Sequence, residues 1–183
     1  MSHEDARDRL VVALDIAERE GLVRVARSIV GRVGVAKIGL EAFTSHGPSL
    51  VDEIMGLGLP VFLDLKLHDI PNTVERAAAA CARLGVSMFT VHAAGGPPML
   101  AAAVAGSQAA TPAGAAPPLV LAVTVLTSID DALLAGLGIR GTVAERAGAW
   151  AEIAQDAGCG GIVCSSLEVA EMRHSRGRTL CCG

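Results

Sequence analysis

The sequence has 183 residues, of which 51% are hydrophobic and 19% are charged, and its formal net charge is −4. This length and composition predict a single globular domain over residues 1–183 with a sizeable core, and they exclude a disordered chain. The net negative charge and the small aromatic content, three phenylalanines and one tryptophan, argue against nucleic-acid binding.

The cellular setting is also predicted from composition. The first nine residues are of mixed charge and contain no apolar signal core. The longest apolar region, residues 93–126, is interrupted by five prolines, so we predict no transmembrane helix. The spacing of the five cysteines matches neither a zinc site nor a disulfide framework, which indicates reduced thiols and a cytoplasmic protein.

Apolar strands and amphipathic helices alternate along the predicted secondary structure. In chain order we predict strand 10–14, helix 18–30, strand 33–38, helix 49–55, strand 59–67, helix 73–84, strand 86–91, helix 97–105, connector 108–118, strand 119–126, short helix or turn 129–137, helix 142–157, strand 161–164, helix 165–173 and strand 178–182. This alternation, with a repeat of roughly 25 to 30 residues, is typical of βαβ units and predicts an α/β protein with a parallel sheet.

Two architectures have this alternation: a doubly wound open sheet and a (β/α)8 barrel. Polar residues stand at the carboxyl ends of most predicted strands: Asp15, Lys37, Asp64, Lys66, His92 and Thr127. A barrel brings all its strand ends to one mouth, whereas an open sheet spreads them apart. We therefore favour a (β/α)8 TIM barrel, incomplete in its last strands and helices, because six strands are clear and residues 178–182 are a weaker seventh.

Residues 62–73 carry the strongest functional signal. Asp64 and Lys66 are two apart on a predicted strand and should share one face, while Asp69 follows where the chain turns. A structural ion pair is the alternative, but a buried pair gains little over apolar residues of the same volume. Together with Lys37, four charges of alternating sign would meet at the mouth of the barrel, where charged residues are usually catalytic.

Other polar residues have more than one interpretation. Asp15 could bind a ligand or cap the following helix, and Lys37 could join the site or extend to solvent. Thr127 could cap a helix or donate a hydrogen bond to a ligand. His92 is as compatible with a supporting role as with a catalytic one, and His68 has no predicted partner. No metal site is predicted, because ammonium groups beside the carboxylates would compete with a cation, and no nucleotide-cofactor motif is present.

The segment Asp64-Leu-Lys66-Leu-His-Asp69-Ile70-Pro-Asn-Thr73 resembles the active-site motif of the orotidine 5′-phosphate decarboxylase family. Val-Ala-Leu-Asp15, Ala-Lys37-Ile-Gly, Thr-Val-His-Ala-Ala-Gly-Gly and Ala-Val-Thr-Val-Leu-Thr127-Ser fall in the order that the family uses, so the resemblance covers residues 10–178. It implies a TIM barrel that acts as a homodimer. It also implies conversion of orotidine 5′-phosphate into UMP and CO₂, in pyrimidine biosynthesis, without cofactor or metal.

The resemblance assigns catalytic roles to four residues. Lys66 would stabilise the carbanion that forms on the pyrimidine ring and then protonate it, held in place by Asp64 and Lys37. Asp69 would reach into the partner subunit's site, near the leaving carboxylate. These roles agree with the residue types, because loss of CO₂ leaves an anion that needs a fixed cation and a proton donor.

The resemblance also implies a substrate-binding set. Its members are Asp15, Lys37, Asp64, Ile70, Thr73 and Thr127. Asp15 and Lys37 would bind the ribose hydroxyls, and Thr127 would contact the base. Ile70 and Thr73 would enter the partner's site together with the carboxylate of Asp69.

Two alternatives remain at this point. Magnesium-dependent sugar-phosphate decarboxylases and synthases of the same superfamily resemble the sequence in Asp-x-Lys-x-x-Asp, but they carry glutamate where this chain has Lys37. The second alternative is an inactive remnant or fragment of the decarboxylase. The family's later segments, which include its phosphate-binding residues, have no counterpart before Gly183. We therefore expect a truncated, poorly stable barrel with weak or no turnover.

Overall fold

A computed structural model describes residues 6–176 and 180–182. Its strands are β1 (Val11–Ala13), β2 (Val35–Gly39), β3 (Val61–Leu67), β4 (Met88–His92), β5 (Leu119–Val123), β6 (Gly161–Val163) and β7 (Leu180–Cys182). Its helices are α1 (Arg19–Ile29), α2 (Leu40–His46), α3 (Pro48–Gly56), α4 (Pro71–Arg83), α5 (Gly96–Ala110), α6 (Asp131–Gly136), α7 (Val143–Asp156) and α8 (Val169–Arg176). In the described part of the chain, no helix has the length and apolar character needed to cross a membrane.

The seven strands form one parallel sheet in the order β1-β2-β3-β4-β5-β6-β7. Each strand therefore pairs with the next strand in sequence, as in a (β/α) barrel, whereas the strand order of a doubly wound sheet reverses at a switch point. Among the described residues no ladder joins β7 to β1, so the sheet is an open part of a barrel. The predicted fold class, an incomplete (β/α)8 barrel, is confirmed.

The two faces of the sheet pack against different layers. Outward-facing side chains such as Leu63 and Phe89 are fully buried against the helices. The inner face carries a smaller apolar cluster, formed by Val35, Phe62, Met88, Leu121 and Val163. Because side chains alternate along a strand, the next inward positions on β2, β3 and β4 are two residues further on. Those positions are polar, which places the candidate site directly above this apolar layer.

The structure adds one helix to the sequence-based prediction and moves the end of α5 and both ends of the last helix. Strand β5, predicted to reach residue 126, ends at Val123. The additional helix, α2, has only seven residues and is separated from α3 by Gly47, whose φ is 65°. The alanine-rich α5 continues to Ala110, because it meets no helix breaker before the proline-containing connector. The last helix begins at Val169 because the residues before it form a turn, in which the Ser165 N–H donates to Glu168 Oε2.

Helix α4 follows the β3 motif directly, and a close crossing with α5 fixes it in place. The crossing is at Gly106, where a Cβ would overlap the backbone carbonyl of Glu75 on α4. Four residues before Glu75, Pro71 occupies the first turn of α4, where its missing N–H costs nothing. Both features therefore fix the beginning of α4, at the end of the loop that follows β3.

Candidate active site

Strands β1, β2 and β3 bring three charged side chains together at the carboxyl end of the sheet. The Lys37 ammonium lies 3.4 Å from Asp64 Oδ2 and 3.8 Å from the Oδ1 atom of Asp15, which follows β1. Gly39 lies opposite Asp64 in the register of β2 and β3, and a Cβ there would come within 3.2 Å of Asp15 Oδ1. Glycine at this position therefore leaves room for the pair of Asp15 and Lys37.

A bulge in β3 places Lys66 beside Asp64. Between two regular pairings, β3 advances by four residues while β4 advances by two. Because the number of extra residues is even, Leu67 still faces the helix layer, as simple alternation predicts. Lys66 lies in the bulge with a φ of 52°, a left-handed conformation that is unfavourable for a residue with a Cβ. Its ammonium lies 2.8 Å from Asp64 Oδ1.

Asp64 is the centre of this charged group. Its side chain is 15% exposed, compared with 21% for Lys37 and 39% for Lys66. Burial acts to raise the pKa of the Asp64 carboxyl, but hydrogen bonds from Lys66 and Thr90 and the charges of both lysines outweigh burial. The net result is a pKa below the ordinary value of 3.8. The carboxylate is therefore ionised at neutral pH and holds one ammonium at each oxygen.

Thr90 on β4 also belongs to this group, although it was not identified from the sequence. It is fully buried, and its hydroxyl donates to Asp64 Oδ1 at 2.9 Å. The same hydroxyl oxygen accepts a hydrogen bond from the backbone N–H of Lys66 at 2.8 Å. Threonine is common in strands, so residue type alone gave no signal. Its position between Met88 and His92 on the inner face of β4 is the feature that could have identified it.

Both cationic positions of the charged group, 37 and 66, are occupied by lysine and not by arginine, which also bears on the chemistry of the site. The chain has 15 lysine and arginine residues, and only two of them, Lys37 and Lys66, are lysines. Both lie in this charged group. A guanidinium holds its protons too tightly to release one, whereas an ammonium can act as an acid. The distribution therefore favours a site whose chemistry requires an ammonium group.

The remaining predicted residues of the β3 motif lie apart from the charged group. Asp69 is exposed, and its carboxylate accepts a hydrogen bond from the backbone N–H of Ile70 at 2.6 Å. No ion pair among the described residues includes Asp69. Ile70 is 65% exposed, and Thr73 in the first turn of α4 is also exposed. Within one chain, none of the described hydrogen bonds or ion pairs joins these three residues to the lysines.

Thr127 lines a separate recess at the carboxyl ends of β5 and β6. The recess has a volume of about 420 Å³. Its polar lining residues are Thr127, Asp131, Thr142, Ser165 and Glu168. Apolar side chains and backbone supply the rest of the wall. The mouth of the barrel thus has a charged part over β1 to β3 and a recess over β5 and β6.

Three aromatic rings form a cluster beside the charged group. The rings of His68 and His92 are parallel to within 21°, with centroids 5.3 Å apart, and Trp150 on α7 meets His92 edge-on at 6.0 Å. His68, which had no predicted partner, therefore has a ring contact. Burial, and then the charges of His68 and Lys66, lower the pKa of His92, so its imidazole is neutral at neutral pH. Its Nδ1 accepts from the Ala94 N–H, which supports the end of β4.

Two of the cysteines, Cys81 and Cys159, carry thiols that are buried and half-buried, respectively. Burial raises the pKa of Cys81 and that of Cys159 to about 11, so both thiols are protonated and unreactive. As far as the structure describes the chain, no three His, Cys, Asp or Glu side chains are close enough together to hold a metal ion.

This arrangement suits a reaction in which negative charge develops on the substrate. The side chain of Lys66 is 39% exposed at the mouth of the barrel, so a bound molecule can reach it. Its hydrogen bond to Asp64 fixes its direction before any substrate arrives. A preoriented ammonium can stabilise an anionic carbon and then donate a proton to it.

Comparison with known families gives a match over nearly the whole chain. Residues 8–182 match the family described as Orotidine 5′-phosphate decarboxylase / HUMPS. A relative from Paramagnetospirillum magneticum, named orotidine 5′-phosphate decarboxylase, is 47% identical over 163 residues. The match covers 88% of this chain and 69% of the relative.

Solved structures agree with this match. The crystal structure of orotidine 5′-phosphate decarboxylase from Lactobacillus acidophilus has a TM-score of 0.83 at 39% identity, and the match covers 93% of this chain and 77% of that chain. An uncharacterized conserved protein from Geobacillus kaustophilus has a TM-score of 0.89 at 40% identity, with coverage of 93% and 80%. The similarity in both cases includes sequence as well as fold.

Proposed function

The chain belongs to the orotidine 5′-phosphate decarboxylase / HUMPS family, and we propose that it converts orotidine 5′-phosphate into UMP and CO₂. The observation that carries this proposal is the Lys66 ammonium held by Asp64, with Lys37 on the opposite carboxylate oxygen. Decarboxylation leaves an electron pair on a ring carbon, and this pair requires a nearby positive charge and a proton. We further propose that the protein is a single-domain homodimer of the cytoplasm and acts in pyrimidine biosynthesis.

Lys66 has two successive tasks in the proposed reaction. The bond between the pyrimidine ring and the carboxylate breaks, CO₂ leaves, and the electron pair stays on the ring carbon. Lys66 first stabilises that carbon and then donates a proton to it, after which water restores the ammonium. Asp64 orients Lys66 through their hydrogen bond, and Lys37 balances the second oxygen of Asp64. The scheme requires no cofactor and no metal.

Substrate binding is proposed to use both parts of the mouth. Asp15 and Lys37 bind the ribose hydroxyls, which is supported by the 66% exposure of the Asp15 side chain and its 3.8 Å contact with Lys37. Asp64, whose Oδ2 lies 3.4 Å from the Lys37 ammonium, borders the same position where the ribose hydroxyls would bind. Thr127 contacts the base, and its place in the recess over β5 and β6 supports that role.

The identity of residue 37 favours this reaction over the related magnesium-dependent ones. The Lys37 ammonium lies 3.4 Å from Asp64 Oδ2, where it would compete with a divalent cation for the carboxylate. The competing sugar-phosphate chemistry needs that cation. We therefore propose that Lys37 directs the site to a metal-independent decarboxylation.

The proposed function is tested by incubating the protein with orotidine 5′-phosphate and following UMP and CO₂, with and without a chelator. The expected result is that chelation leaves the rate of CO₂ release unchanged, even where that rate is low, because the proposed reaction uses an ammonium and not a metal. Turnover of a sugar phosphate that stops on chelation, with no release of CO₂ from orotidine 5′-phosphate, would overturn the assignment.

Asp69 is proposed to act in the site of the partner subunit, together with Ile70 and Thr73. Their exposure and the absence of Asp69 from the described ion pairs support this proposal. Each site would then contain Lys66 from one subunit and Asp69 from the other. The carboxylate would lie near the departing carboxylate of the substrate, where repulsion favours loss of CO₂.

Mixing two inactive variants tests this shared site. We expect Lys66→Ala and Asp69→Ala to be inactive when each is assayed alone. After subunit exchange, a mixed dimer has one site with both residues intact, so an equal mixture should regain about a quarter of the wild-type activity. A mixture that stays inactive, although subunit exchange is shown by differently tagged chains, would place Asp69 in the site of its own subunit.

A further inference from the structure

The hydroxyl of Thr90 connects the two halves of the charged group. It donates its single proton to Asp64 Oδ1 and accepts from the backbone N–H of Lys66. Asp64 Oδ1 also accepts from the ammonium of the same lysine at 2.8 Å. The hydrogen bonds therefore close a ring that runs from the ammonium to the carboxylate, to the hydroxyl and back to the lysine backbone. The hydroxyl accepts one hydrogen bond and donates the other, so these two bonds polarise one another.

The bulge explains why Lys66 needs this acceptor. The register of β3 and β4 is interrupted between Leu63 and Leu67, so the Lys66 N–H is not part of the regular ladder. A buried N–H without an acceptor is costly, and the left-handed backbone at this position adds to that cost. The Thr90 hydroxyl takes the place of a ladder carbonyl. It therefore stabilises the unusual backbone from which the lysine side chain projects.

Resting on the function proposed above, we propose that Thr90 is a positioning residue for decarboxylation. Its hydroxyl fixes the Lys66 backbone and the Asp64 carboxylate relative to each other, so that the ammonium is aimed at the reacting carbon. Thr90 is fully buried beside the Asp64 carboxylate, so its side chain has no exposed surface on which a substrate could bind. It therefore acts on the chemical step, through two other residues, and not on substrate binding.

The test compares Thr90→Val, which keeps the shape and removes the hydroxyl, with Thr90→Ser, which keeps the hydroxyl. Thr90→Val is expected to lower kcat about 10- to 100-fold with less than a threefold change in KM, and Thr90→Ser to restore most of the loss. Thr124→Val is the matched control. Thr124 is equally buried, on the segment after β5, but its hydroxyl donates only to the Val163 carbonyl, so kcat should stay within about threefold of wild type.

A second measurement does not depend on turnover. The Thr90 hydrogen bond helps to lower the pKa of the Asp64 carboxyl, so NMR titration of labelled aspartate should show a higher pKa in Thr90→Val and no change in Thr124→Val. If Thr90→Val does not fold, Thr90→Cys takes its place, because a thiol is a much weaker hydrogen-bonding group than a hydroxyl.

Two sets of results would overturn the positioning role. One is a kcat for Thr90→Val within threefold of wild type together with an unchanged Asp64 pKa. The other is a loss confined to KM, or equal losses in Thr90→Val and Thr90→Ser. A wild-type protein that releases no CO₂ from orotidine 5′-phosphate would refute the proposed function separately, while the titration would still report whether Thr90 controls Asp64.

Discussion

Replacing Lys66 with methionine is expected to lower kcat for decarboxylation by at least about 10⁴-fold while the protein stays folded. Methionine has a similar length but supplies neither the positive charge nor the proton that the ring carbon requires. The stabilisation of the anion and the protonation step are therefore lost together. Steady-state assays of CO₂ release, with circular dichroism to confirm folding, measure the effect. A variant that retains more than one hundredth of wild-type kcat would contradict the assignment.

Lys66→Arg separates the two tasks of this side chain. A guanidinium keeps the charge beside Asp64 but does not release a proton under these conditions. We expect Lys66→Arg to remain nearly as inactive as Lys66→Met if proton donation is essential. Substantial recovery of kcat in Lys66→Arg would show that charge alone is sufficient and that another group donates the proton.

Asp64→Asn is expected to have the second largest effect, on both activity and stability. The amide would leave the ammonium groups of Lys37 and Lys66, now 3.4 and 2.8 Å from the carboxylate, without their shared counter-charge. We expect a loss in kcat of about 10³-fold or more and a decrease in unfolding free energy of about 1–3 kcal/mol. Asp52→Asn, at an exposed position on α3, is the control and should change neither quantity measurably.

The stability effect of Asp64→Asn should depend on pH in a defined direction. The pKa of the folded Asp64 carboxyl is below its ordinary value of 3.8, so ionisation stabilises the folded state. That contribution is fully present above pH 3.8 and is lost as the pH falls through the folded pKa. The difference in unfolding free energy between wild type and Asp64→Asn should therefore be constant near neutral pH and shrink in acid. A difference that grows as the pH falls would contradict the assigned role of the carboxylate.

The part of the site that could be predicted from sequence depends on simple geometry. Asp64, Lys66 and Lys37 follow apolar runs at the ends of parallel strands, and strand ends in a barrel meet at one mouth. That reasoning is local, and it needed only the alternation of side chains. It placed Asp64 and Lys66 side by side, although both lie within the bulged stretch of β3, and the two extra residues leave the alternation of Leu63 and Leu67 unchanged.

The features that could not be predicted depend on pairing between distant segments. Thr90 is 26 residues from Asp64, and only the register of β3 and β4 brings its hydroxyl to the carboxylate. The stack of His68 on His92 likewise depends on how the β3 loop folds over β4. Helix α2 was missed because its seven residues are too few to show a clear helical period. The alternation of side chains along a strand can be predicted from one segment of sequence, whereas these contacts depend on how distant strands pair in the sheet.

The left-handed backbone of Lys66 has a consequence for how this gene would change over time. Glycine could adopt a φ of 52° without strain, whereas lysine costs about 1–3 kcal/mol of backbone strain there. Foldability and catalysis therefore favour different residues at position 66. A copy released from selection for decarboxylation would be free to drift toward the residue that the backbone prefers. The lysine at position 66 is thus a residue that the backbone alone does not favour, and the proposed chemistry gives a reason for its presence.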